Sequence, residues 1–123
     1  MIAYDRDNIF ARILRGEIPC DKVYENEHAL AFRDVNPQAP VHVLIIPKGE
    51  YVSSSDFFES ASAAEAAGFV RAVAEAARLE GVTAAGYRLI ANAGDDGHQE
   101  VQHFHMHLLG GRRMGRMVQP AKD

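Results

Sequence analysis

The sequence predicts an α+β fold built on an antiparallel sheet. Three short segments of strand character come first along the chain, KVYE, ALAFRD and VHVLIIP. One long alanine-rich helical segment follows them, and two more strand-like segments, YRLIAN and HFHMHLL, come after the helix. Strands grouped in this way, rather than alternating with helices of their own, are typical of an antiparallel sheet and not of repeated βαβ units.

The first half of the chain divides at its turn residues. A short helix is expected to start at Asp7 as its cap and to run to about Arg15, with Gly16 in the usual C-cap position. The two prolines of VNPQAP predict a turn, because proline cannot donate to a strand ladder. Residues 41–47 are apolar on both faces and therefore predict a central strand that is covered on each side.

The alanine-rich segment predicts the longest element. Ser62 and Glu65 have the spacing of a capping box, and Gly81 is expected to end the helix after Glu80. Residues 56–60 are interpreted as an irregular segment leading into it. The buried stripe of the helix is expected to consist of Phe69, Val70, Val73 and Leu79.

Length, charge and cysteine content narrow the function classes. At 123 residues the chain is expected to be one domain, residues 1–123. Cys20 is its one cysteine, so an internal disulfide is excluded. A net charge of −4 argues against nucleic acid as a partner. With no signal peptide expected and no apolar run of about 20 residues, a cytoplasmic protein without membrane contact is expected.

The segment HFHMHLL carries half of the six histidines in the chain. Successive side chains of a strand point to opposite faces, and the alternation predicts a strand over residues 102–109. Phe104, Met106 and Leu108 would then lie on one face, towards the core. The other face would present His103, His105 and His107 to a cleft, a metal ion or a ligand.

Three interpretations of the histidine face are open from the residues alone. The histidines could simply face solvent, which is common for one histidine and unusual for three in register. Two of them, with His42 from the central strand, could bind a metal ion, whereas all three span too great a distance to do so together. A neutral imidazole could also attack phosphorus, with the glycine-containing loop GDDGHQEV before it offering backbone N–H groups to a phosphate.

Other candidate residues also have ordinary structural interpretations. Asp34 follows a predicted strand and could bind two hydroxyl groups, but it could equally cap the turn at NP. Phe10 and Phe32 are of a type usually found in a core. Asn92 could be an ordinary residue at the end of a strand.

Beyond these patterns, the sequence resembles the histidine-triad family of nucleotide hydrolases and transferases. HFHMHLL is similar to the family's signature, in which three histidines alternate with apolar residues. Three further blocks resemble the family in the same order, namely DNIFARILRGEIPC, ALAFRDVNPQAPVHVLIIPK and GYRLIANAGDDGHQEVQHFHMHLLGG. The combination is similar to the branch of small homodimeric purine-nucleoside phosphoramidases.

This resemblance implies both a fold and a reaction. The fold would be a five-stranded antiparallel sheet with one short and one long helix, and two copies would join into a ten-stranded sheet. The reaction would release a nucleoside monophosphate from a purine nucleoside 5′-phosphoramidate, such as adenylated lysine, without metal or cofactor. Alternatives are a dinucleoside polyphosphate hydrolase and a purine-nucleotide-binding regulatory protein with little turnover.

The resemblance also assigns roles to single residues. His105 would be the nucleophile that forms a nucleotidyl-histidine, oriented by His103 through its backbone carbonyl, with His107 and His42 completing the cluster. Asn92 would position the phosphate and Asp34 would bind the ribose hydroxyls. The apolar clamp around the base would be Ile9, Phe10, Phe32 and Val35. The phosphate loop would contain Gln99, Glu100 and Val101.

Three positions depart from the family pattern. Glu100 stands where some relatives have a serine or threonine that can donate a proton to the leaving group. His98 stands where a glycine is expected. Glu50 stands where many relatives have a histidine, so that outer position is not expected to be catalytic here.

Overall fold

The computed structural model describes residues 2–118, and the α+β prediction is confirmed. Within these residues five strands form one antiparallel sheet in the order β1-β2-β3-β5-β4. Three helices accompany the sheet, and none of them is both long and apolar enough to span a bilayer. The elements are α1 (Ile9–Leu14), β1 (Lys22–Glu25), β2 (Ala29–Arg33), β3 (Val41–Pro47), α2 (Ser54–Ser60), α3 (Ala63–Leu79), β4 (Arg88–Ile90) and β5 (Met106–Gly110).

Strand β3 is central, as its two apolar faces predict. It pairs with β2 on one side and β5 on the other. Val43 and Ile45 belong to the larger core cluster, which packs against α3. Leu44 and Ile46 point the other way and join Phe10 of α1 in a smaller cluster. The sheet therefore has a helix-covered face and a second face that α1 covers in part, which leaves room there for a site.

Helix α3 begins as its capping box predicts, but its buried stripe differs from the expected one. The Ser62 side chain accepts from the backbone N–H of Glu65, and the Glu65 carboxylate accepts from the backbone N–H of Ser62. Phe69 and Val73 are buried, whereas Val70 and Leu79 are exposed. Small residues take their place against the sheet, since Ala72, Ala76 and Ala77 are the other buried residues of the helix.

Two predictions about the helices were wrong, one on residues 56–60 and one on the N-cap of α1. Residues 56–60 are not irregular but belong to α2, which has its own capping box between Ser53 and Asp56. The cap of α1 is Asn8 rather than Asp7, because the Asn8 side chain accepts from the backbone N–H of Ala11. Asparagine and aspartate are about equally good caps, so composition alone did not decide between these neighbours.

The histidine segment is a strand only in its second half. Strand β5 starts at Met106, so His103 and Phe104 precede it in irregular backbone. The alternation nevertheless persists, since Phe104 and Leu108 lie in the core beside α3. The backbone N–H of Phe104 donates to the carbonyl of Tyr51 at 2.7 Å instead of to a strand. The first part of the histidine segment is therefore held by a loop rather than by the ladder.

Candidate active site

The ring of His105 is oriented by the backbone of His103. Nδ1 of His105 lies 2.8 Å from the carbonyl oxygen of His103. A carbonyl can only accept, so Nδ1 carries the proton, and in the neutral ring the lone pair is on Nε2. Nε2 makes no hydrogen bond within residues 2–118, and His105 lines a cavity. The arrangement presents an imidazole lone pair to that cavity.

His103 is fully buried, and both of its ring nitrogens have partners. Nε2 lies 2.8 Å from the carbonyl oxygen of Pro47 at the end of β3, so Nε2 is the donor. Nδ1 then accepts from the hydroxyl of Tyr4, at 2.6 Å. His103 is thus a neutral ring beneath the cavity, and only its carbonyl reaches the neighbouring histidine.

His42 and His107 form a second pair with a defined tautomer. They lie on adjacent strands as diagonal neighbours, because His42 is opposite Leu109 and His107 is opposite Leu44. The backbone N–H of Gln38 donates to Nδ1 of His42 at 3.0 Å. Nε2 of neutral His42 must then carry the proton, and it lies 3.0 Å from Nδ1 of His107. His107 is left with its own proton on Nε2.

Burial favours the uncharged form of all four histidines. Desolvation lowers the pKa of His103 to about 4 and, with the neighbouring His105 and His42, lowers that of His107 to about 4. It also lowers the pKa of His105 and of His42, against the opposing effects of the His103 carbonyl on the first and of Asp34 on the second. A neutral imidazole is a nucleophile, whereas its protonated form is not.

The cavity has a volume of about 420 Å³, within the range of small-molecule sites. Its wall brings together eight of the residues that were predicted for the site, while His103 is buried and does not line it. These lining residues are Phe10, Asp34, His42, Asn92, Glu100, Val101, His105 and His107. Residues from α1, β2–β3, β5 and the loop before β5 therefore converge on one volume.

Four of the proposed binding residues do not line this cavity. Phe32 is buried beneath Phe10, with the two rings edge to face at 5.7 Å. Ile9 and Val35 are exposed, Val35 almost completely. Gln99 is buried, and its side-chain amide donates to the carbonyls of Val52 and Val101 and accepts from Gly94. Gln99 thus holds the loop in shape. Of the four residues expected to clamp the base, Phe10 lines the cavity.

Asp34 closes a turn and also faces the histidines. Its Oδ1 accepts from the backbone N–H of Asn36 at 2.8 Å, which is the turn-capping role. Its Oδ2 lies 3.5 Å from Nε2 of His42. One ligand atom each from Asp34, His42 and His107 lie within 4.8 Å of one another, so within residues 2–118 these three residues form a group that could hold a metal ion. This group differs from the metal alternative considered from the sequence, two triad histidines with His42, because it contains one triad histidine and Asp34.

The loop before β5 carries two of the three departures from the family pattern, His98 and Glu100. His98 has φ of 60°, the left-handed conformation that favours glycine. Its Nε2 lies 3.1 Å from Oε1 of Glu100, and both side chains are exposed at the rim of the cavity. Glu50 pairs with Arg6 at 3.0 Å and lies outside the lining of the cavity.

Comparison with known proteins decides the family. The HIT domain pattern matches residues 15–114. The chain belongs to the HIT (histidine-triad) family. An uncharacterized 13.2 kDa HIT-like protein of Azospirillum brasilense is 59% identical over 115 residues, which are 94% of both chains. The purine nucleoside phosphoramidase of Escherichia coli K12 is 47% identical over 113 residues, 91% of this chain and 93% of that one.

Solved structures of HIT proteins share the fold. The crystal structure of a HIT family hydrolase from Legionella pneumophila matches with a TM-score of 0.82 and 42% identity. That match covers 89% of this chain and 96% of the Legionella chain. Together these relationships support a hydrolase activity for this HIT protein.

Two contacts at the site escaped the sequence analysis. Gln38 acts through its backbone N–H, which no side-chain pattern reports. Tyr4 reaches His103 across 99 positions of the chain, and it precedes DNIFARILRGEIPC, the first block that resembles the family. A tyrosine close to a helix N-terminus has no signature spacing, so only the structure reveals the contact.

Proposed function

We propose that this HIT protein hydrolyses purine nucleoside 5′-phosphoramidates through a nucleotidyl intermediate on His105. The observation that carries the proposal is the 2.8 Å hydrogen bond from His105 Nδ1 to the His103 carbonyl. It leaves a lone pair on Nε2 of a ring whose pKa burial has lowered. The relationship to the phosphoramidase of E. coli, at 47% identity, supports the substrate class.

The proposed reaction has two displacements at phosphorus. In the first, Nε2 of His105 forms a bond to the α-phosphorus, the P–N bond breaks, and the departing nitrogen takes one proton from solvent water. In the second, water attacks the same phosphorus and releases one proton to solvent, the bond to His105 breaks, and the nucleoside monophosphate departs. The Nε2–H of His107 serves as a donor to a phosphoryl oxygen, where charge develops in each transition state.

Substrate binding is assigned to the cavity wall. Asp34 accepts from the ribose hydroxyls and Asn92 donates to the phosphate. Phe10 contacts the base, while Phe32 supports Phe10 from beneath. Exposed Val35 and Ile9 contact the base only from the rim.

A homodimer is part of the proposal, and an apolar surface between α3 and β4 supports it. Strand β4 pairs with β5 on one side only, which leaves its outer edge open within the described chain. Beside that edge, an apolar groove is lined by side chains that include exposed Phe58, Val70 and Leu89. Joining β4 to its copy would continue the sheet to ten strands and cover these side chains.

The decisive experiment compares two substrates on one preparation. Steady-state rates are measured for an adenosine 5′-phosphoramidate of lysine and for a diadenosine polyphosphate. We expect kcat/KM to be higher for the phosphoramidate. The reverse order would identify a dinucleoside polyphosphate hydrolase, and tight binding of AMP without turnover of either compound would identify a nucleotide-binding regulatory protein.

A second experiment tests the nucleophile. His105→Gly should abolish turnover while AMP still binds, because the ribose and base contacts are elsewhere. The bond between phosphorus and histidine nitrogen in the intermediate is labile in acid, so mass spectrometry under acidic conditions is unsuitable. The intermediate is instead captured by rapid quench into alkali, with radiolabelled nucleotide as the label. His28→Gly serves as the control. A His105→Gly protein that retains one-tenth of the activity would remove His105 from this role.

Metal-assisted hydrolysis is the second candidate, and the cluster of Asp34, His42 and His107 favours it. Zinc takes nitrogen and oxygen ligands at about 2.0–2.2 Å, but binding both His42 Nε2 and His107 Nδ1 would break the hydrogen bond between them. Extensive dialysis against EDTA separates the two mechanisms. Unchanged kcat supports the nucleophilic route, whereas loss on dialysis and recovery with zinc would establish the metal route.

A further inference from the structure

Tyr4 is attached to the histidine segment by one short hydrogen bond. Its hydroxyl lies 2.6 Å from Nδ1 of His103, and the two rings meet edge to face with centroids 5.6 Å apart. The direction of the bond is fixed, because the opposite nitrogen of His103 already donates to the carbonyl of Pro47. Tyr4 lies outside the residues matched by the HIT domain, 15–114.

The segment that carries Tyr4 is itself held in place. Arg15, at the end of α1, donates from Nη1 to the carbonyl of Arg6 at 2.6 Å. The Arg6 side chain pairs with Glu50, in the loop that follows β3. Asn8 donates from its side chain to the carbonyl of Asp5. Three contacts within four residues of Tyr4 therefore fix its backbone over His103.

We propose that Tyr4 is a positioning residue for the nucleophile, acting through His103 on His105. The proposal rests on the proposed function, because it assumes that His105 Nε2 attacks the substrate. The Tyr4 hydroxyl holds the His103 ring against Pro47, and the anchored residue presents its carbonyl to His105 Nδ1. Tyr4 does not line the cavity, so it acts on the geometry of the attack and not on substrate binding.

The effect follows from the burial of His103. The residue is completely inaccessible to solvent, so water cannot readily replace a lost donor at Nδ1. Without the hydroxyl, the buried acceptor is unsatisfied, and rotating the ring to satisfy it breaks the bond to Pro47. Either outcome loosens the peptide whose carbonyl sets the tautomer and angle of His105.

Tyr4→Phe tests the proposal because it removes the hydroxyl and keeps the ring. The matched control is Tyr51→Phe, which loses a hydroxyl that is hydrogen-bonded to Glu65 but keeps the main-chain carbonyl that accepts from Phe104. We expect Tyr4→Phe to lower kcat roughly tenfold, equivalent to about 1.4 kcal/mol of barrier. KM should change by less than about twofold, since remote positioning does not alter ground-state contacts. Tyr51→Phe should leave kcat unchanged, even where it lowers Tm.

The ring nitrogens of the ligand-free protein give a readout that does not depend on turnover. In ¹⁵N spectra, Tyr4→Phe should shift Nδ1 of His103 and also both nitrogens of His105, whereas Tyr51→Phe should shift neither. A Tyr4→Phe protein with wild-type kcat and unshifted His105 nitrogens would overturn the proposal. If the wild-type protein hydrolyses no phosphoramidate, the proposed function fails. The ¹⁵N spectra then test the positioning role separately: shifted His105 nitrogens in Tyr4→Phe support it, and unshifted ones contradict it.

Discussion

Nε2 of His42 donates to Nδ1 of His107 across 3.0 Å, and the backbone N–H of Gln38 makes this direction obligatory. His42→Ala removes the donor and frees His107 to change its tautomer, so the phosphoryl oxygen loses a fixed Nε2–H. We expect kcat to fall roughly tenfold, less than the about 10²–10³-fold that follows loss of an oxyanion donor itself, because His107 stays in place. Steady-state kinetics beside His28→Ala, a histidine outside the cavity lining, checks this. Equal kcat in both variants would contradict the assigned role.

Asp34→Asn tests the ribose contact. The substitution keeps an oxygen to accept from Asn36 and close the turn, but it removes the charge and one acceptor. A hydrogen bond to a charged group is worth about 1.5–3 kcal/mol, so the affinity for AMP should fall about tenfold or more. The affinity for the 2′,3′-dideoxy analogue should change little. Calorimetric titration measures both, with exposed Asp21→Asn as the control, and equal losses for the two nucleotides would exclude ribose binding by Asp34.

Acid should destabilise the fold in the window set by the buried histidines. The pKa of His103 and of His107 is about 4 in the folded protein and about 6.5 in an unfolded chain. Between these values the unfolded chain binds more protons, so the free energy of unfolding falls as pH drops, by up to about 1.4 kcal/mol per pH unit for each histidine. Urea titrations at pH 7, 6 and 5 measure this slope, which His107→Asn should reduce.

Carboxylates act in a different window, which keeps the pH test clear. Hydrogen bonds from Lys48 and Lys22 hold the pKa of Glu25 at about 2, so its contribution to the free energy of unfolding is lost only below its ordinary pKa of about 4.3.

The pH dependence of activity should follow the histidines, because burial lowers the pKa of His105. The acidic limb of kcat/KM is therefore expected below about pH 6.5. A limb above that value would mean that another group controls turnover.

Val70→Glu tests the dimer. Val70 is 65% exposed on α3 within the apolar groove beside β4, where a carboxylate would be buried without a partner on association. Light scattering should show a dimer for wild type and a monomer for this variant. Leu79→Glu is the control, because Leu79 is also exposed on α3 but lies half a turn away around the helix axis and outside the groove. A monomeric wild type would end the proposal.

The sequence predicted the sheet better than the helices. Residues 41–47 were correctly placed as the central strand, because a seven-residue run that is apolar on both faces has few other solutions. Helix α2 was missed, since its serine-rich start resembles a loop unless Ser53 and Asp56 are read as a capping box. The prediction that Val70 is buried is wrong. Helical periodicity cannot distinguish the face that packs on the sheet from a neighbouring apolar face.

Within the site, alternation grouped the three histidines but did not reveal their different surroundings. His103 is buried beneath the cavity while His105 and His107 line it, and this difference depends on where the strand begins. The partners of His103, Tyr4 and Pro47, are 99 and 56 positions away in the chain. Contacts of that range come from the tertiary fold, which local spacing does not encode.

Hydrogen bonds to main-chain groups fix the tautomers of three histidines. These groups are Pro47 O for His103, Gln38 N–H for His42 and His103 O for His105. Main-chain groups survive almost every amino-acid replacement, whereas the rim of the cavity consists of replaceable side chains such as His98 and Glu100. Substitutions at His98 and Glu100 can therefore change what the proposed site accepts without moving these three main-chain groups. Insertions and deletions in the turn at Gln38, or between Phe104 and Met106, shift the main chain itself. The orientation of these three rings is thus less sensitive to substitutions at the rim than to changes in loop length.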